Sequence, residues 1–224
     1  MIQFHTLYAN NTQEIVDAHQ KVMNHFNIPV KYQYGGDHGS WIDSIMLNNK
    51  EDVVGFFDSD CVPLSREAIE NCINYVIKHD SFIGTAQASN HIPPASHIFA
   101  APCFFIITRD CWERMQKPTF RAGPQWDVAE YVSYAAEHFK EHYRCLYPDC
   151  WEREPVEGVW YLSNYGFYGI GTVFENTVYH LFQGRFPNNK KLFIQRCDDI
   201  VNGNFSTEGF FNSKDFDYNG NIVR

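Results

Sequence analysis

The sequence predicts an α/β fold: a central, mostly parallel sheet flanked by helices, with a less regular C-terminal part. Three observations carry this expectation. Strand-like and helix-like segments alternate through the first two-thirds of the chain, the order that places helices on the faces of a parallel sheet. The run Val53-Val54-Gly55-Phe56-Phe57 is apolar without interruption, as a strand buried on both faces must be. Finally, 224 residues at 44% hydrophobic and 17% aromatic can build one large core and exclude a disordered chain.

The elements follow in order. Residues 2–8 read as a strand, and 12–26 as a helix with Ile15, Val16, His19, Val22 and Met23 on one face. Residues 28–34 alternate with period two, as a strand does. Gly35-Gly36-Asp37-His38-Gly39 is a loop, and Ser40 is a candidate N-cap for a short helix through Leu47. The apolar strand 53–57 runs directly into Asp58-Ser59-Asp60. Ser65 then caps a helix through His79 whose stripe is Ala68, Ile69, Cys72, Ile73, Val76 and Ile77. Residues 81–86 and 97–108 are further strands. Residues 126–142 read as a helix with Val128, Tyr131, Val132, Ala135 and Phe139 on one side. From Tyr143 the pattern weakens. An aromatic, Gly-rich stretch covers 158–174, the run 178–182 follows, and the tail from Asn202 shows no period. No repeat or Pro/Gly/Ser-rich linker divides the chain, so one unit over 1–224 is expected.

Charge and cysteine usage narrow the function. With 18 Lys+Arg against 27 Asp+Glu the net charge is −9, and no basic stripe is present, which argues against a nucleic-acid partner. An acidic chain that handles phosphates needs a metal ion between them. Seven Cys without a C-x-x-C read as free thiols of a reducing compartment. The N-terminus lacks a signal-peptide pattern, and the longest apolar run, 98–107, is short and broken by Pro102. A cytoplasmic protein without a membrane span is therefore expected. The sequons at Asn10 and Asn204 are then chance matches.

Asp58-Ser59-Asp60 is the sharpest feature. Two carboxylates one residue apart, at the carboxyl end of a buried strand, can reach one divalent cation, and hard oxygen ligands suit Mg²⁺ or Mn²⁺. Ligands of open α/β sheets bind at that edge. Asp-x-Asp is also an ordinary turn and cap pattern, but the preceding buried strand favours the functional reading.

A hydrophobic strand ending in D-x-D after two β-α units resembles the GT-A glycosyltransferases. The stretch 90–102 is similar to the acceptor-side strand of that fold. The segment from Gly169 to Phe174, leading to Tyr179-His180-Leu181-Phe182, resembles its late segment with a metal-binding His. The likeness covers residues 1–190 as pattern and extends to small viral and phage enzymes.

The resemblance implies a GT-A-like single domain. Residues 1–110 would form its nucleotide-binding half, 111–190 its acceptor side with the late metal-ligand segment, and 191–224 a C-terminal arm. It implies Asp60 as direct metal ligand, with Asp58 reaching the metal through water or contacting the ribose, and Ser59 beside them. His180 would be the third ligand, for Mn²⁺ or Mg²⁺; the alternative for His180 is a core histidine in an aromatic strand. Thr6, Leu7, Tyr8, Asp37 and His38 would flank the nucleotide, and Arg185 would face the diphosphate, unless it is a solvated loop arginine. Asp127 would be the catalytic base, with Glu130 as the fallback and Trp126 stacking on a sugar. Asp127-Val128-Ala129-Glu130 is equally a capping box. The donor would be a UDP-sugar, or next a GDP-sugar, and the acceptor a hydroxyl of a glycan or another molecule.

Three other readings stay open. A haloacid-dehalogenase-type phosphotransferase also uses D-x-D after a buried strand, with Lys190-Lys191 and Asp198-Asp199 as its later groups. A non-catalytic carbohydrate-binding protein could use the same aromatics. His138, His142, Cys145 and Cys150 have zinc-ligand chemistry but no standard spacing.

Overall fold

The structure, a computed structural model, describes residues 2–8, 13–89, 97–152, 159–184 and 186–213. In chain order the first half contains β1 (Ile2–Leu7), α1 (Gln13–His25), β2 (Val30–Gln33), α2 (His38–Asn48), β3 (Val53–Phe57), β4 (Cys61–Pro63), α3 (Arg66–His79), β5 (Phe82–Ala88) and β6 (Ile98–Thr108). The second half contains α4 (Arg109–Arg114), α5 (Glu130–Phe139), β7 (Tyr143–Leu146), β8 (Pro148–Trp151), β9 (Trp160–Tyr161), β10 (Phe167–Tyr168), β11 (Gly171–Phe174), β12 (Val178–Leu181), α6 (Pro187–Val201) and β13 (Phe211–Asn212).

The predicted central sheet is present, with strand order β2-β1-β3-β6-β5-β7. The pairs β1–β2, β1–β3 and β5–β7 are parallel, whereas β6 runs antiparallel to both its neighbours. Every residue of β3 is buried, as an apolar strand with helices over both sheet faces requires. One face packs on α2, α4 and α5 through Trp41, Ile42, Phe56, Phe105, Trp112 and Val132. The other packs on α1 and α3 through Phe4, Met23, Phe57, Ile69, Val76 and Phe104.

A second, antiparallel sheet has the order β13-β8-β11-β12-β4. Helix α6 covers it with Phe193, Cys197 and Ile200, against Ile15, Ala18 and Val22 of α1. Apart from β4, this sheet and α6 occupy the part that the sequence leaves irregular, and α6 includes residues 191–201 of the expected C-terminal arm. Among the described residues, no helix is long and apolar enough to cross a membrane.

Two local expectations are corrected. Asp37, not Ser40, caps α2: its carboxylate accepts the Ser40 N–H at 2.9 Å. The helix expected over 126–142 begins only at Glu130, because Ala129 adopts a left-handed φ of 66°. The capping box forms by half: Glu130 accepts the Asp127 N–H at 2.7 Å, while Asp127 Oδ1 turns to the adjacent Val128 N–H at 2.8 Å. Ser65 caps α3 as expected, accepting from Ala68 N at 3.1 Å.

An ion pair between a half-buried arginine and a buried carboxylate ties α6 to the second sheet. Glu152, 5% exposed, accepts from Arg196 Nε at 2.7 Å, Arg196 Nη2 at 3.0 Å and Tyr179 Oη at 3.1 Å. Removing one partner of such a pair leaves an uncompensated charge. Arg196→Ala is therefore expected to cost about 3–5 kcal/mol of unfolding free energy. Urea unfolding of variant and wild type checks this; a cost below about 1 kcal/mol would show that Glu152 finds other solvation.

Candidate active site

The D-x-D motif is the junction between the two sheets. Asp58 directly follows β3, its N–H still donating to Cys103 O of β6 at 2.8 Å. Three residues later the chain enters β4, which pairs with β12 in the register His180↔Cys61. That pairing sets His180 beside Asp60, and the Leu181 N–H donates to Asp60 O at 2.9 Å.

Asp58, Asp60 and His180 accordingly converge. Each offers a ligand atom, and these atoms all lie within 4.8 Å of one another; no other such group of His, Cys, Asp or Glu occurs among the described residues. His180 Nε2 is 3.4 Å from Asp60 Oδ1 and 4.0 Å from Asp58 Oδ2. The ring is buried, and its Nδ1 has no hydrogen-bond partner among the described residues. The other Asp60 oxygen is fixed by the Gly184 N–H at 3.2 Å. His38 Nε2 lies 3.2 Å from Asp58 Oδ1 and packs over Trp41. Ser59 is buried within the turn.

The electrostatics follow from this crowding. Burial pushes the Asp58 carboxyl up to about 6, with His38 opposing and Asp60 adding to the rise. Burial also disfavours the Asp60 charge, but His180 and the Gly184 N–H outweigh it and hold that carboxyl below the usual range. Burial likewise opposes a charged His180, yet Cys103 and Asp60 raise its imidazole well above the ordinary value. Two carboxylates and one imidazole in a poorly solvated corner form a donor set that fits a small divalent cation, the carboxylates suiting Mg²⁺ or Mn²⁺ and the imidazole being acceptable to Mn²⁺.

The cluster lies at one side of a cleft of about 400 Å³ that also takes in His38, Gln87, Cys103, Asp127 and Val128. Trp160, Tyr168 and Phe182 add an aromatic wall. Among its described residues the lining holds three aspartates and no Lys or Arg.

The other sequence-predicted residues distribute as follows. Thr6 and Leu7 end β1 and Tyr8 follows it; the parallel register of β1 with β3 brings them to the same sheet edge as Asp58. Thr6 is buried, and Tyr8 meets the exposed Tyr34 edge-on at 5.5 Å. Asp37 stands at the start of α2, next to His38. Asp127 faces the cleft, with Oδ2 3.5 Å from Gln87 Nε2. Glu130 is fully buried, three residues along. Arg185 lies outside the described residues, as do 90–96 of the stretch likened to the acceptor-side strand. Trp126 packs on Tyr131 rather than lining the cleft.

His138, His142, Cys145 and Cys150 do not assemble into a metal-sized group, and His142 instead bonds Tyr75. Lys190, Asp198 and Asp199 belong to α6, where they pair with Glu14, Lys21 and Arg196, away from the cleft. Sequence reasoning missed Gly184, Gln87, Trp160, Tyr168 and Cys103. The run Gln183-Gly184 just after His180 was the one available signal.

A side chain at Gly184 would collide with the cluster: an added Cβ would lie 2.9 Å from Asp60 Oδ2 and 3.0 Å from its Cβ. Gly184→Ala is expected to weaken Mn²⁺ affinity by about 10–100-fold, as supporting residues of metal ligands do, with the melting temperature little changed. A calorimetric Mn²⁺ titration checks it; unchanged affinity would mean that Asp60 is free to shift.

No family model matches the sequence, and no curated protein does. Among solved structures the chain is similar to A197 from STIV, at TM-score 0.43 and 13% identity, over 80% of this chain and 93% of that one. It is similar to the catalytic domain of Drosophila β1,4-galactosyltransferase 7 in complex with xylobiose, at TM-score 0.47 and 11% identity, over 86% and 78%. It is also similar to the mannosyltransferase PcManGT from Pyrobaculum calidifontis in complex with GDP-Man and Mn²⁺, at TM-score 0.48 and 8% identity, over 64% and 54%. The latter two are glycosyltransferases.

Proposed function

We propose that the protein is a metal-dependent glycosyltransferase that moves a sugar from a nucleoside-diphosphate sugar to a hydroxyl of a carbohydrate or other acceptor. The observation that carries this reading is the meeting of Asp58, Asp60 and His180 in one cleft with Asp127. Those three would hold Mn²⁺ or Mg²⁺, which when bound supplies Lewis-acid stabilisation of the departing diphosphate. The acidic lining explains the need: without a cation, three aspartates would repel two phosphates.

In this reading the nucleoside lies across the ends of β1 and β2, against Tyr8, Asp37 and His38, with Thr6 and Leu7 beneath. Asp58 meets the ribose side, with Ser59 buried behind it, and the resemblance assigns Arg185 to the diphosphate. UDP is the donor nucleotide the resemblance favours, then GDP. Asp127 accepts the proton of the acceptor hydroxyl as that oxygen bonds to C1 of the sugar and the bond from C1 to the diphosphate breaks. The placement of Lys190, Asp198 and Asp199 on α6 weighs against the phosphotransferase alternative.

Thermal melting with UDP, GDP or CDP, each with Mn²⁺ or with chelator, tests the reading. A ligand at a hundredfold its Kd adds about 2.7 kcal/mol of stability. A Mn²⁺-dependent shift with one nucleotide is expected. No shift with any nucleotide, together with hydrolysis of p-nitrophenyl phosphate that Asp58→Asn abolishes, would overturn it.

A further inference from the structure

Asp127 is held in an unusual way. The residues after it do not start a helix directly, since Ala129 sits in the left-handed region at φ 66°, a conformation that an L residue keeps only when its surroundings impose it. Two ties impose it. The Ala129 N–H donates to Phe120 O at 2.9 Å, and the Asp127 N–H donates to Glu130 Oε2 at 2.7 Å.

Glu130 is itself fully buried, and its second oxygen is also engaged: Oε1 lies 2.8 Å from His97 Nδ1. His97 in turn stacks on Tyr134 at 3.9 Å between ring centres, 12° from parallel, and its Nε2 lies 3.1 Å from Glu137 Oε1. The imidazole therefore bridges two carboxylates of α5, clamped by a tyrosine of the same helix. A buried carboxylate is costly unless paired and hydrogen-bonded, and this one is tied through one oxygen to the Asp127 N–H and through the other to His97.

We propose that Glu130 is a positioning residue, held by His97, that fixes the Asp127 backbone and so aims the Asp127 carboxylate into the cleft. This rests on the reading of Asp127 as the base. It gives the second carboxylate of the Asp127-Glu130 pair a different task from the first: Glu130 has no exposed surface with which to meet an acceptor.

The test uses nucleoside-diphosphate release from whichever of UDP-glucose, UDP-galactose or GDP-mannose the wild type turns over, with water as acceptor and Mn²⁺ present. A displacement of about 1 Å in a reacting group costs about 10²-fold. Glu130→Ala is thus expected to lower kcat about 10–100-fold with donor KM within twofold and the Mn²⁺-dependent thermal shift retained. Glu130→Gln keeps an acceptor for the Asp127 N–H and a polar partner for His97, and is expected to restore kcat to within about fivefold of wild type. If Glu130→Ala fails to fold, His97→Gln, which loosens the clamp from its outer end, is expected to lower kcat in the same selective way.

Wild-type kcat in Glu130→Ala or, failing its folding, in His97→Gln, alongside a dead Asp127→Asn, would overturn the positioning role and leave the base intact. Full activity in Asp127→Asn would overturn the base reading instead. Loss in Glu130→Gln as deep as in Glu130→Ala, with Asp127→Asn active, would make Glu130 the base.

Discussion

Asp60→Ala is expected to abolish Mn²⁺-dependent nucleotide binding and to lower turnover well beyond the about 10–100-fold that outer-shell substitutions at metal sites cost. Asp60 is the most constrained member of the cluster. It is buried, one oxygen is fixed by the Gly184 N–H, and the other faces His180 Nε2 at 3.4 Å. Its loss leaves one carboxylate and one imidazole, too few ligands to hold a weakly bound divalent ion against water. The check is a Mn²⁺ titration followed by melting with the nucleotide that shifts the wild type. Asp60→Asn separates charge from shape, since its amide oxygen still accepts from Gly184. Should either variant retain a Mn²⁺-dependent shift of wild-type size, the metal would sit elsewhere.

Asp127→Asn is expected to lower kcat by about 10²–10⁴-fold, the range of general acid–base catalysis, while the Mn²⁺-dependent nucleotide shift stays within a few-fold of wild type. The asparagine oxygen still accepts the Val128 N–H that Asp127 Oδ1 accepts at 2.8 Å, so the turn keeps its shape and only the proton acceptor is lost. Steady-state kinetics beside melting curves separate the two. A parallel fall in binding and turnover would move Asp127 from proton transfer to donor binding.

These two residues also mark where the sequence is legible and where it is not. Val53 to Phe57 could be placed because five successive buried residues leave one reading, and the D-x-D then falls at a known edge of the sheet. His180 is legible through the family resemblance and not through its own pattern: β12 is four residues long, too short to show a period, and its register against β4 decides what the imidazole meets. The reversed direction of β6 is hidden for the same kind of reason, since a strand buried along nearly its whole length looks alike from either end. Helix α6 did leave signals, with Pro187 in its first turn and Phe193, Cys197 and Ile200 spaced along one face, but charged and polar neighbours diluted them. The sequence at 127–129 looks helical because Ala129 carries no mark of a left-handed backbone. Gly184 and the Glu130–His97 clamp act across the fold, through contacts that no local pattern encodes.

The placement of Asp58-Ser59-Asp60 between two sheets has a consequence for how the molecule breathes. Two of the cluster's donors follow the last strand residue of the central sheet, while the third hangs from β12 of the second sheet. An ion shared among them would act as a rivet across the seam. Backbone amides of β4 and β12 are expected to exchange with deuterium more slowly when Mn²⁺ and nucleotide are added, while amides of β1 and β5 keep their rates. Peptide-resolved exchange measured by mass spectrometry reads this directly. Equal slowing of both sheets would instead describe a body that already opens as one.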